Sequence, residues 1–72
     1  MDLPHFYETK VSWTRGKEGE ISESAMPPIH MGTALPFPGG CPDVWSPEHL
    51  FVAAINGCLM TTFFAIAENS RL

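Results

Sequence analysis

The sequence predicts an α+β fold, an antiparallel β-meander followed by one long central helix, and three observations predict it. Apolar and polar residues alternate near the N-terminus, a glycine-rich charged turn follows, and a capped apolar stretch fills Ser46 to Asn69. At 72 residues with seven prolines and six glycines, the chain is one small domain or a truncated one, spanning residues 1–72, with room for only a thin core.

Met1 to Pro4 reads as a frayed end. From His5 to Trp13 the residues Tyr7, Thr9, Val11 and Trp13 fall on one face and Glu8, Lys10 and Ser12 on the other, the period of a half-buried strand. Thr14 to Gly19 carries two glycines among mixed charges and reads as a hairpin turn. Glu20 to Ala25 returns as a polar strand, either an edge or a one-sided one, Pro27 and Pro28 are expected to interrupt pairing, and Ile29 to Ala34 forms a short third strand. Pro36 to Trp45, with three prolines and a Gly-Gly pair, cannot hold regular structure and delivers the chain to the helix.

Ser46 is the expected N-cap, Pro47 fits the first helical position, and Glu48 meets the positive end of the helix dipole. From Leu50 to Ala67 the helix is apolar, small or hydroxylated on all sides apart from Asn56, the pattern of a buried helix. The rest of the chain is too small to cover it, so a partner chain or further sequence is expected to do so. Its length touches the threshold for a membrane span, but Gly57, Asn56 and two threonines dilute it and Lys/Arg anchors are missing. No membrane is expected. A net charge of −4 with four Lys plus Arg argues against nucleic acid, and two cysteines without a leader pattern suggest a reducing, cytoplasmic setting.

On the helical wheel Cys58 shares a side with Phe51, Ala54, Thr62 and Ala65, which leaves space beside the sulfur. Leu50, Ala53, Gly57, Met60, Phe64 and Ala67 form a separate seam where a second helix could pack closely. Cys58 is then either a small hydrophobe in a core or a reactive thiol. Glu48 lies ten residues before it, about 15 Å along a straight helix, so the two can meet only across subunits. A two-fold axis near Ala53 would set Glu48 beside Cys58 of the partner subunit. By itself Glu48 serves the helix dipole. His5, His30, His49 and Cys41 show no metal-ligand spacing.

The stretch SPEHLFVAAINGC, with its proline-glutamate helix start and a cysteine ten residues after the glutamate, resembles the osmotically inducible protein C / organic hydroperoxide resistance (OsmC/Ohr) family. The upstream order agrees, from a strand with tryptophan through TRGKEG to a Pro/Gly loop, and the likeness covers the N-terminal half of a family domain. The resemblance implies an OsmC-like half-domain in an intertwined homodimer and a thiol peroxidase acting on small organic hydroperoxides in oxidative-stress defence. Cys58 would be the peroxidatic cysteine and Glu48 the carboxylate that positions a cation from the turn. Arg15 and Lys17 both fit that cation. Arg15 is preferred because a permanently charged planar donor can pair bidentately and steady a thiolate.

The resemblance further implies no resident cofactor and an external dithiol reductant such as a lipoyl group. Phe51, Leu59, Met60, Phe63 and Phe64 would favour organic over hydrogen peroxide if some of them line the pocket, and otherwise serve as core. The family's resolving cysteine lies downstream of where this chain stops, and Cys41 is read as non-catalytic. The alternative is a non-catalytic OsmC-like dimerisation or binding module, or an incomplete fragment, in which Cys58 only packs.

Overall fold

The computed structural model describes residues 4–71. The expected frayed end at Met1 to Pro4 lies outside them except for Pro4. Three strands, β1 (Lys10–Arg15), β2 (Glu18–Glu23) and β3 (Met26–Gly32), precede a single helix, α1 (Pro47–Ser70), so the α+β class and the meander are as expected. The strands form one antiparallel sheet in the order β1-β2-β3.

Register divides the sheet into two faces. Val11, Ile21 and Ile29 align across the strands, as do Trp13, Gly19 and Met31, while Ser12, Glu20 and His30 align on the opposite, polar face. Gly19 is required beneath Trp13, because a Cβ there would sit 2.7 Å from the Ser12 carbonyl oxygen. β1 begins at Lys10, not His5. The ladder ends where Lys10 pairs with Ser22; before it Tyr7, Glu8 and Thr9 are unpaired and line an open cavity with Ser22, Glu23 and Ser24. The expected half-burial of β1 is also corrected: Val11 and Trp13 are 65% and 75% exposed, since no second layer covers the apolar face.

The first turn is tighter than expected. Only Gly16 and Lys17 separate β1 from β2, with Gly16 at φ +52° and its carbonyl accepting from Trp13 Nε1 at 2.9 Å. A register shift between Trp13 and Arg15 leaves Thr14 unpaired and sets Arg15 directly opposite Glu18. Pro27 and Pro28 do not interrupt β3, contrary to expectation. They sit on an edge strand where the β2–β3 register shifts between Ile21 and Glu23, a position that tolerates a missing N–H donor.

The irregular stretch after β3 is fastened to the sheet. Thr33 N donates to Lys17 O (3.2 Å), Cys41 N to Thr33 O (2.9 Å) and Gly32 N to Trp45 O (2.8 Å). Helix α1 then starts at the expected cap. Ser46, 2% exposed, accepts from His49 N (3.2 Å), and Ser46 N donates to His49 Nδ1 (3.0 Å), so histidine completes a capping box usually closed by Glu or Gln. Trp45 stands edge-on to the His49 ring, 6.0 Å between centroids.

As expected, the chain does not cover the helix by itself. No residue of α1 is buried, Phe51 and Leu59 are 69% and 65% exposed, and among the described residues no strand packs extensively on the helix. The radius of gyration is 16.2 Å, against about 11 Å for a compact chain of this length. Accessible surface is 6290 Å², roughly 1,900 Å² more than a compact monomer of this mass exposes. The helix spans 24 residues and contains an 18-residue window of mean hydropathy 2.0, so it is long and apolar enough to cross a membrane.

Candidate functional site

Cys58 lies near the middle of α1 and is exposed. Its backbone carbonyl accepts from Thr61 Oγ1 at 3.1 Å, and the adjacent Gly57 faces open space. The least exposed helix residues, Leu50, Ala53, Gly57 and Ala67, all belong to the seam read from the sequence. Thus the thiol and the packing seam occupy different sides of one helix, and neither is covered.

Glu48 stands in the first turn of α1, about 15 Å from Cys58 along the axis. Together with Leu35, Phe37, Cys41 and His49 it lines a cavity of about 520 Å³ between the loop and the helix start. The chain therefore brings Glu48 to the same cavity as Cys41, not to Cys58. Cys41 Sγ points at the carbonyls of Gly39 (3.7 Å) and Lys17 (4.0 Å), and a Cβ on Gly32 would meet it at 2.7 Å. That sulfur packs the loop against the sheet.

The two turn cations have different duties. Lys17 Nζ donates to Pro38 O at 2.8 Å, and its stem runs so close to Gly39 that a Cβ there would lie 2.8 Å from Lys17 Cδ. Lys17 is thereby committed to holding the loop. Arg15 has a 79% exposed side chain and, among the described residues, one loose ion pair, Nε to Glu18 Oε1 at 3.7 Å. The same Glu18 oxygen is 2.8 Å from His30 Nε2. The His30 hydrogen bond holds the Glu18 carboxyl below its ordinary value, desolvation opposes it, and the Arg15 charge adds to the lowering.

Among the described residues Arg15, Glu48 and Cys58 make no ion pair or hydrogen bond with one another, and no three His, Cys, Asp or Glu side chains cluster as metal ligands. No known family, curated protein or solved structure matches the chain. The sequence reading missed Glu18 and the cap role of His49, and weighed His30 only as a metal ligand. A histidine three residues after Ser46 was a legible capping signal. The Glu18–His30 pair became visible only with the strand register, which places His30 opposite Glu20 and diagonal to Glu18.

Proposed function

We propose that this chain is the OsmC-like half of a thiol peroxidase that reduces organic hydroperoxides, working as an intertwined homodimer in a reducing, cytoplasmic compartment. The observation that carries the reading is one unbroken helix bearing Glu48 and Cys58 at a ten-residue spacing, apolar on every side and uncovered by its own chain. The excess surface of roughly 1,900 Å² per chain amounts to about 3,800 Å² for a pair, within the range of obligate dimers. Asn56, Gly57 and Thr61 along the helix favour protein over lipid as the cover. Across a two-fold axis near Ala53, Glu48 approaches Cys58 of the partner subunit. Arg15 suits the role of cation better than Lys17, whose ammonium already serves the loop.

In this reading the Cys58 thiolate attacks the distal peroxide oxygen. A sulfur–oxygen bond forms as the oxygen–oxygen bond breaks, giving a sulfenic acid, while the departing alkoxide takes a proton from solvent. One thiol of a lipoyl-type dithiol then attacks the sulfenic sulfur and expels water. Its second thiol displaces Cys58 and leaves as a cyclic disulfide.

Treatment of the folded protein with cumene hydroperoxide and a sulfenic-acid trap should label Cys58 by mass spectrometry, and Cys58→Ser should abolish peroxide consumption. An unlabelled Cys58 sinks the enzymatic reading. That no cation among the described residues pairs with Cys58 favours a second reading, a non-catalytic dimerisation module. It expects Cys58 to resist alkylation until unfolding and Cys58→Ser to change nothing.

A further inference from the structure

Arg15 and Glu18 flank the two-residue turn as cross-strand partners, and the register shift before Arg15 turns its side chain toward Glu18. The contact between them is long, 3.7 Å, and the arginine is largely solvated. Such a pair biases a side chain without locking it. His30 approaches the same carboxylate oxygen at 2.8 Å from β3 and is much the closer partner. Glu20 faces His30 directly from β2 and is the other charged group aligned with it.

A cation that must serve a thiolate elsewhere has to leave a resting partner. We infer that Glu18 is that partner, holding Arg15 at the hairpin end in competition with Glu48, while His30 weakens the hold by occupying the shared oxygen. The inference rests on the peroxidase reading and adds to it two positioning residues, Glu18 and His30, neither of which touches the reacting atoms.

Competition predicts effects of opposite sign. In Glu18→Gln the carboxylate charge is gone, Arg15 is released, and Cys58 should alkylate with iodoacetamide about two- to fivefold faster at pH below its midpoint, the factor by which an exposed pair shifts an equilibrium. In His30→Leu the oxygen is left wholly to Arg15, and alkylation should slow by about twofold. Arg15→Ala should cancel both effects in the double variants. Circular dichroism and the dimer fraction of each variant establish that it is folded, and trapping of sulfenic acid in the unsubstituted protein runs beside them.

Opposite shifts that vanish without Arg15 support the inference. If Cys58 of the unsubstituted protein forms sulfenic acid but Glu18→Gln alkylates no faster, the competition is overturned and the peroxidase reading stands. Shifts of one sign that persist in the Arg15→Ala background assign the pair to structure alone and also overturn it. If no sulfenic acid forms at all, the peroxidase reading falls and the inference with it.

Discussion

The hairpin end and the helix of this protein are held by opposite means. Around the turn, polar groups find partners within the chain: Trp13 on Gly16, Lys17 on Pro38, Cys41 on Thr33, and Glu18 between Arg15 and His30. Along α1 the backbone satisfies itself, at its ends through the Ser46–His49 box and the left-handed Arg71 cap, whereas among the described residues none covers the apolar side chains between them. Hydrogen-bonding groups can be satisfied locally, by a turn or a cap. Apolar area can be removed from water only by another layer, and this chain contributes a single layer of each kind. The difference marks where the chain satisfies its own groups and where it leaves apolar surface in water.

Three perturbations break or sharpen that contrast. The largest effect is expected on the helix. Gly57→Glu would put an unpaired charge into the packing seam, a cost of about 3–5 kcal/mol if that seam is covered, and sedimentation should show the dimer lost at micromolar concentration. A dimer that keeps its affinity would mean that the seam is not the covered face. Next is the junction between the two regions. Ser46→Ala removes the cap that anchors α1 to the loop and should cost about 1 kcal/mol, read as a lower midpoint in urea with the slope unchanged.

The smallest effect belongs to the hairpin. The Glu18 carboxyl is lowered from 4.5 in the folded chain, so its contribution is complete above the ordinary value and is lost as pH falls through the folded one. An acid titration followed by the tryptophan signal should show a shallow loss of stability below about pH 4.5 that is absent in Glu18→Gln. A titration identical in the two proteins would show that the carboxylate is not coupled to folding.

Much of this was legible in the chain. Val11 and Trp13 share a face as their alternation requires, Ser46, Pro47 and Glu48 start the helix where their types place them, and the Pro/Gly loop is irregular. Each of these signals is carried by residues within a few positions of one another. The limits of β1, the toleration of Pro27 and Pro28, and the meeting of Arg15, Glu18 and His30 were not legible. They depend on which residues stand opposite in neighbouring strands, and one unpaired residue at Thr14 changes that alignment.

For the candidate site the division is the same. The sequence by itself determined the helix, its cap, the Glu48 to Cys58 spacing and the two sides that separate the thiol from the packing seam, because helical geometry converts spacing directly into position. Only the tertiary structure decided that Lys17 is spent on the loop, that Arg15 pairs loosely with Glu18, that Glu48 shares a cavity with Cys41, and that no residue of α1 is buried. Those outcomes depend on contacts between residues far apart in the chain, and burial in particular is a property of what lies opposite a residue, which its own identity does not specify.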